Sequence, residues 1–221
     1  IDDLPNMENA MIVALNKRNP EAFDPYFLDT KTGDLKMLYE NNDGVTEWVT
    51  DHEGRLRAAI STDGVSQNIL FRETDEQPFR QVLSTDFRET VYPMFFTFDD
   101  KKAAYALSNR GRDKTAIVVL DLTTGEERET IFEHPEVDAS YLSYSRKRKK
   151  LTTVSFTTWK IQYHFLDEEV EGLHQRLHDD LAGYEVVITS TDEKEERFII
   201  RTYSDRSLGA YYFYDRNTDE L

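Results

Sequence analysis

The sequence predicts an all-β fold built from repeated units of about four short strands, and two observations support this prediction. One is a motif of strand, tight polar turn and strand that recurs along the chain, and the other is the regular spacing of those turns. The stretch 115–133 shows the motif clearly, with the apolar run Ile117–Leu120 followed by the turn Asp121–Glu126. Gly125 is expected to take a positive φ in that turn. Similar copies lie at 26–39 and 211–221.

The turns recur at a nearly constant interval. The turns of the first hairpin in each unit fall near Asn6, Asp51, Asp99, Ser145 and Asp192. The turns of the second hairpin fall near Asp29, Glu73, Asp121, Asp167 and Asp215. Both series repeat every ~44–48 residues, which is the length of a four-stranded β-propeller blade. Helical repeats of similar length are disfavoured because β-branched and aromatic residues alternate with a period of two.

The expected fold is therefore a β-propeller of about five four-stranded blades, forming a partial or contracted ring. The units are placed at 1–43, 44–88, 89–136, 137–183 and 184–221. The first unit has almost nothing before its first turn, the last ends just after its final turn, and the sequence does not begin with Met. We therefore expect a piece of a longer protein. Imperfect closure or edge pairing between molecules is also expected, because open sheet edges invite pairing.

The strands follow from alternating apolar and polar residues bounded by turn residues. In the first two units they are predicted at Ala10–Leu15, Tyr26–Leu28, Leu35–Tyr39, Glu47–Thr50, Leu56–Ser61, Asn68–Arg72 and Phe79–Leu83. In the later units, besides the hairpin within 115–133, they are predicted at Phe95–Phe98, Ala103–Leu107, Tyr141–Tyr144, Leu151–Phe156, Val186–Ser190 and Phe198–Tyr203.

The fourth unit departs from the pattern at Asp167–Leu181 (DEEVEGLHQRLHDDL). The spacing of its apolar residues, by three and four positions, indicates one face of an amphipathic helix. These residues are Val170, Leu173, Leu177 and Leu181. Acidic residues precede them, which is favourable at a helix N-terminus. A short helix is therefore predicted to replace the second hairpin of the fourth unit.

The amino-acid composition argues against some binding partners and excludes sites that need cysteine. The formal net charge is −16, from 43 acidic and 27 basic residues, so nucleic acids and anionic membranes are disfavoured as partners. The absence of cysteine excludes disulfides and thiolate metal sites. No apolar run is long enough for a membrane-spanning helix, and the first residues lack the pattern of a signal peptide. Cytoplasm and periplasm both remain open as compartments.

Three stretches could carry chemistry, and each has a simpler interpretation. Glu168 and Glu169 could together bind a cationic group such as a peptide N-terminus, or they could only favour the helix start. His174 and His178 have the i, i+4 spacing that can present two imidazoles to zinc, yet a solvent-facing polar stripe is the favoured interpretation. The basic run Arg146–Lys150 suggests phosphate binding, but it falls where a solvated hairpin turn is expected.

A serine nucleophile is not supported. The nearest approach to a G-x-S-x-G elbow is Gly64-Val65-Ser66, which lacks the second glycine and falls in a hairpin connection. No Gly-rich phosphate loop is present, and no metal or cofactor is predicted. Nothing in the chain supplies a nucleophile, a base and an orienting group together.

Four stretches resemble the propeller of prolyl oligopeptidase-family serine peptidases, in the branch of bacterial acylaminoacyl-peptidase-like and dipeptidyl aminopeptidase-like proteins. They are ALNKRNPEAFDPYFLDTKTGDLKMLYEN (14–41), WVTDHEGRLRAAI (48–60), LSNRGRDKTAIVVLDLTTGEE (107–127) and SDRSLGAYYFYDRNTDEL (204–221). In that family an N-terminal propeller of seven or eight blades caps a C-terminal α/β-hydrolase domain with a Ser-Asp-His triad. The present sequence has about five units and ends where the hydrolase domain would still follow.

The resemblance implies a non-catalytic domain that gates access and contributes to peptide substrate binding, with the hydrolase domain and the peptide as partners. No catalytic residue of the family can be assigned to a position in this chain. Some dipeptidyl peptidases of the family hold the substrate's amino terminus with a Glu pair on a propeller helix, and Glu168 and Glu169 invite that comparison. The alternative is a stand-alone propeller for protein–protein or ligand binding, a TolB-like scaffold.

Overall fold

The computed structural model describes Leu4 and residues 7–221. The described residues divide into two compact units, one that extends to Ser140 and one at Tyr141–Leu221. In sequence order, consecutive strands pair to form five meandering sheets. The predicted turn near Asn6 lies outside the described residues.

Three sheets lie wholly within the first unit. The first sheet consists of β1 (Ala10–Asn19), β2 (Ala22–Asp29) and β3 (Leu35–Met37). The second consists of β4 (Val45–Thr50), β5 (Leu56–Thr62), β6 (Gln67–Phe71) and β7 (Arg80–Thr85). The third consists of β8 (Val91–Phe96), β9 (Ala103–Ser108), β10 (Ala116–Asp121) and β11 (Glu127–Phe132).

The remaining sheets frame the helix. The fourth sheet consists of β12 (Ala139–Ser145), β13 (Lys150–Thr157) and β14 (Ile161–Phe165), and helix α1 (Glu168–Asp180) follows it. The fifth consists of β15 (Glu185–Thr191), β16 (Arg197–Tyr203) and β17 (Tyr211–Asp215). The predicted all-β fold, with five sheets and one helical insertion, is confirmed.

Two details differ from the sequence-based expectation. Four strands are present in the second and third sheets, whereas the other three sheets have three strands each among the described residues. The helix does not replace a whole hairpin in the fourth unit, because β14 forms. Its alternating residues Ile161, Tyr163 and Phe165 have the period of a strand, so α1 stands only where the outer strand would be.

Strand β5 of the second sheet is buried on both faces, as packing between neighbouring sheets requires. Strand β5 contributes Ala58 and Ile60 to a hydrophobic cluster shared with the third sheet. On its opposite face, Ala59 joins a second cluster shared with the first sheet. Since successive side chains of a strand point to opposite faces, small apolar residues in sequence let both neighbours approach closely.

The repeated turns share one hydrogen-bonding scheme. In each, an Asp side chain at the strand end accepts backbone N–H bonds, such as those from Lys31 to Asp29 (2.8 Å) and from Thr123 to Asp121 (2.7 Å). A residue with positive φ then closes the turn, as predicted for Gly125. The residues with positive φ are Gly33 (80°), Gly125 (77°) and, in the last copy, Asp219 (59°). These local requirements explain why the sequence motif repeats.

In the second unit, helix α1 packs its apolar side on the fifth sheet. Leu173, Leu177 and Leu181 form one buried cluster with residues of β15, β16 and β17. The sheet residues of this cluster are Val186, Phe198, Ile200 and Tyr214. No helix in the described part of the chain is both long and apolar enough to cross a membrane.

Candidate functional site around helix α1

The start of helix α1 is fixed by a buried carboxylate. Asp167 is the N-cap, with an extended backbone, and its side chain accepts a hydrogen bond from the backbone N–H of Val170 at 3.1 Å. This bond satisfies one of the N–H groups that a helix leaves free at its first turn. Glu168, Glu169 and Glu171 follow in that turn, where the helix dipole favours negative charge.

The predicted basic turn binds this carboxylate. Arg148 and Lys150 each lie 2.8 Å from Oδ2 of Asp167, whose side chain is 1% exposed. Burial raises the pKa of Asp167, but hydrogen bonds from Lys150, Arg148 and the Val170 N–H outweigh it and lower the pKa to about 2. The basic run is therefore more than the solvated turn that was expected, since it anchors the helix start.

The two glutamates predicted to bind a cation have different surroundings. Glu169 is held between two guanidinium groups, with Arg148 3.1 Å from Oε2 and Arg216 2.5 Å from Oε1. Glu168 is exposed, and within the part of the chain that the structure describes its carboxylate has no ion pair. Both side chains are exposed, so the two glutamates differ in charge pairing and not in access to solvent.

The histidine pair does not form a complete metal site. The ring of His174 is half-buried and packs against Tyr163 and Phe165, with centroids 4.9 and 5.3 Å apart, whereas His178 is exposed. Burial lowers the pKa of His174, and the nearby His178 lowers it further. Among the described residues, no group of three or more potential metal ligands occurs. The expectation of a solvent-facing stripe is wrong for His174, because the β14 rings cover it.

Ser66 lies in the connection between β5 and β6. Its backbone N–H donates to Asp63 Oδ1 at 2.7 Å, which closes a tight strand–strand turn. A nucleophile elbow instead joins a strand to a helix, so this local structure agrees with the simpler interpretation of a hairpin connection.

A half-open cleft of about 410 Å³ lies beside the helix in the second unit. Strands of the fourth and fifth sheets line it together with His174 and the side chains of Arg148 and Arg216. Sequence reasoning missed this cleft and the part played by Arg216. Arg216 follows the last strand, 47 residues from Glu169, and no short-range pattern links such distant positions.

The chain was compared with protein-family profiles, with known protein sequences and with solved structures. No protein-family profile matches the chain. The chain is 23% identical over 225 residues to dipeptidyl aminopeptidase BIII of Pseudoxanthomonas mexicana, a match that covers 98% of the chain and 31% of that relative. A solved prolyl endopeptidase structure superposes with a TM-score of 0.55 at 12% identity, covering 96% of the chain and 32% of the endopeptidase.

The chain is similar to the propeller portion of prolyl oligopeptidase-family peptidases. It spans about a third of the length of the relatives that it matches. The likeness to the endopeptidase supports the fold alone, since identity is low. Together with the five sheets, these similarities support a propeller domain of a peptidase family, the class of protein that the four sequence stretches indicate.

Proposed function

We propose that this chain is the non-catalytic propeller domain of a serine exopeptidase, gating access and contributing to peptide binding for a hydrolase domain. The observation that carries the proposal is the match of nearly the whole chain to about a third of a dipeptidyl aminopeptidase. A propeller can filter by size, because its channel is lined by inner strands, and its loops can face a second domain.

Within this function, Glu168 and Glu169 bind the protonated amino group of a peptide. Glu168 supplies the carboxylate that no basic side chain among the described residues neutralises. Glu169 lies next to it on the first turn of α1, oriented by Arg148 and Arg216. Because both arginines neutralise part of the charge on Glu169, Glu168 carries the larger share of the attraction to an ammonium group.

The coding sequence after the codon for Leu221 tests the domain assignment. A G-x-S-x-G motif followed by Asp and His within an alternating strand–helix pattern supports it. A stop codon or an unrelated domain contradicts it and favours the stand-alone propeller. The purified chain is expected to hydrolyse no peptide or ester, and turnover lost in Ser66→Ala would refute the non-catalytic assignment.

A binding experiment tests the glutamates. Alanyl-alanine is titrated into the chain and followed by NMR, with N-acetyl-alanyl-alanine as the ligand that lacks the ammonium group. We expect Glu168→Gln to weaken binding of the free dipeptide about twofold to fivefold, because one exposed ion pair contributes up to about 1 kcal/mol. Glu171→Gln, two positions after the pair in the first turn of the same helix, is the matched control.

Equal binding of the free and acetylated dipeptides would contradict the ammonium site. The same conclusion follows if Glu171→Gln weakens binding as much as Glu168→Gln does. The effect would then come from the loss of any negative charge on the helix and not from a specific contact with the ammonium group. Either result leaves the domain assignment intact, because that assignment is tested by the coding sequence.

A further inference from the structure

Two guanidinium groups line the cleft beside helix α1, and both belong to the second unit. Arg148 comes from the turn between β12 and β13, and Arg216 follows β17. Glu169 of α1 bridges them, because Arg148 lies 3.1 Å from its Oε2 and Arg216 lies 2.5 Å from its Oε1. Two like charges are thereby held next to each other at the cleft.

Each arginine uses a single nitrogen of its guanidinium group for hydrogen bonds to the protein. In Arg148, Nη1 donates to both carboxylate oxygens of Asp167 and to Glu169. In Arg216, Nη1 donates to Glu169. Among the described residues, no acceptor bonds to Nη2 or Nε of either group. Since a guanidinium carries N–H donors on each of its nitrogens in a planar fork, both arginines keep donors for a further acceptor.

These donors are oriented and can be reached by a ligand. The guanidinium of Arg216 lies over the ring of Phe198, with Cζ 5.3 Å from the ring centroid, a geometry that favours cation–π attraction. The side chains of Arg148 and Arg216 are 28% and 31% exposed. Because protein contacts already hold both groups, a ligand would order little more on binding, which favours affinity.

Glu195 is the acidic residue of the lining, and its carboxylate is already bound. Its two oxygens accept hydrogen bonds from the hydroxyl of Ser145 at 2.8 and 2.6 Å, and Oε2 lies 3.9 Å from Nε of Arg148. The lining thus carries two positive charges and one negative charge. Asp167 and Glu169 at the helix start reduce this excess, so directed hydrogen bonds, more than net charge, would hold an anionic oxygen here.

Other parts of the lining are apolar and come from several elements. Val170 and Leu173 belong to α1, Phe165 to β14 and Ile188 to β15. The cleft volume of about 410 Å³ falls in the range of small-molecule sites, roughly 300–1,000 Å³. The cleft can therefore take a compact apolar group attached to the anionic oxygen.

We propose that Arg148 and Arg216 bind the carboxylate of a ligand whose apolar group occupies the cleft, with Nη2 or Nε of each arginine donating to it. The carboxylate belongs to a free organic acid or to the C-terminus of a peptide with an apolar last residue, and both share this chemistry. The site takes a negative group, whereas the Glu168–Glu169 pair takes an ammonium group. It also does not depend on the proposed hydrolase domain.

The test is an NMR titration of the chain with 15N-labelled arginine, using 3-phenylpropanoate and 3-phenylpropanamide as probes. The two probes have nearly the same shape and differ in charge. We expect the acid to shift the Nε resonances of Arg148 and Arg216 saturably. It should bind about tenfold more tightly than the amide, because hydrogen bonds to an ionised acceptor are roughly twice as strong as neutral ones.

A third titration, with N-acetyl-glycyl-phenylalanine, distinguishes the two sources of the carboxylate. Tighter binding of this dipeptide than of 3-phenylpropanoate indicates a peptide C-terminus, and the reverse indicates a free acid. None of the three probes has an ammonium group. The result is therefore independent of whether Glu168 and Glu169 bind a peptide N-terminus.

Four variants separate the site from general effects. Arg216→Gln removes one fork and should weaken binding of the acid about fivefold, and Arg216→Lys, which keeps the charge, should recover part of this loss. Arg176→Gln removes an arginine outside the cleft that pairs with Asp180, so binding should not change. Ser190→Trp fills the cleft from β15 and should abolish binding, which keeps the test valid if Arg216→Gln disturbs the helix start.

The proposal is overturned if neither carboxylate probe gives a saturable shift at millimolar concentration. Equal affinities for 3-phenylpropanoate and its amide would also overturn it, because the charge would then contribute nothing. The same holds if Arg216→Gln has no more effect than Arg176→Gln, or if Arg216→Lys binds the acid as tightly as the unchanged chain. Undiminished binding in Ser190→Trp would place the probe elsewhere and would overturn it as well.

Discussion

Replacing Asp167 tests whether the basic turn and the helix start form one structural element. The side chain is 1% exposed, caps the Val170 N–H and pairs with Arg148 and Lys150. Asp167→Ala removes all three contacts at once. Asp167→Asn keeps an oxygen that can cap the helix but removes the negative charge. The two variants therefore separate the capping contribution from that of the ion pairs.

The expected magnitudes follow from these contacts. Losing an N-cap is unfavourable by about 1 kcal/mol. Breaking a fully buried ion pair is unfavourable by about 3–5 kcal/mol, but Arg148 and Lys150 are 28% and 55% exposed, so about 1–2 kcal/mol is expected here. Asp167→Ala should thus destabilise the helix by about 2–3 kcal/mol and Asp167→Asn by about 1–2 kcal/mol.

The pH dependence has a definite sign. The pKa of Asp167 lies at about 2 in the folded chain, below its ordinary value of 3.8, so the charged form is favoured by folding. Its contribution is present above about pH 4 and is lost as the pH falls towards 2. The shift corresponds to about 2 kcal/mol. The alanine and asparagine variants should lack this part of the acid dependence.

Hydrogen exchange of the helix amides is the suitable assay, because the chain has two compact units and global unfolding need not be two-state. Protection of the α1 amides should fall by the amounts given above. The control is Asp179→Ala, on the same helix, where the exposed carboxylate accepts a hydrogen bond from Gln175 and, among the described residues, from no other side chain. Protection unchanged within about 0.5 kcal/mol in Asp167→Ala would refute the anchoring role.

Two further predictions concern the first unit and are measured by the hydrogen-exchange protection of its strand amides. Gly125→Ala should destabilise the chain by about 2–3 kcal/mol, because φ is positive and the added Cβ would lie 3.0 Å from a carbonyl oxygen of β7. Gly33→Ala has the same φ problem in open space and should lose only about 1 kcal/mol, and equal losses would contradict the steric argument. Asn41→Ala should lose about 2 kcal/mol, because the buried amide bonds to both backbone groups of Val45. Asn42→Ala replaces an exposed side chain and should change the stability little. A similar loss of stability in that variant would show that the buried hydrogen bonds of Asn41 are not the cause.

The repeated parts of the fold could be predicted from sequence because their causes are local. Asp29 and Asp121 bond to backbone groups two or three residues away, and Gly33 and Gly125 satisfy a positive φ within the same turn. The spacing of the leucines on α1 likewise predicts which side of the helix is buried. Each of these signals spans only a few residues, so each can be recognised in a short stretch of the sequence.

The candidate site could be predicted only in part, because its contacts join distant positions. The acidic start of α1 was evident, but the arginines that bind Glu169 come from a turn about 20 residues before it and from the end of β17. The burial of His174 depends on β14 lying beside the helix. The sequence around a polar residue on a helix does not show that a ring from another element will cover it. The prediction that His174 faces solvent was wrong for this reason.

The ion pairs around α1 are more readily understood as a means of orientation than as a source of stability. Desolvation offsets most of what a buried pair contributes, so apolar residues could hold a helix start at least as well. Here Asp167 is instead bound by Arg148 and Lys150, and Arg148 also reaches Glu169. Directional contacts of this kind fix where a carboxylate points, which apolar packing does not. The helix stands where an outer strand would be, and three basic side chains, Arg148, Lys150 and Arg216, hold carboxylates at its start. That combination is expected where a repeat has been altered to present side chains, and it directs the search for function to α1 over the regular turns.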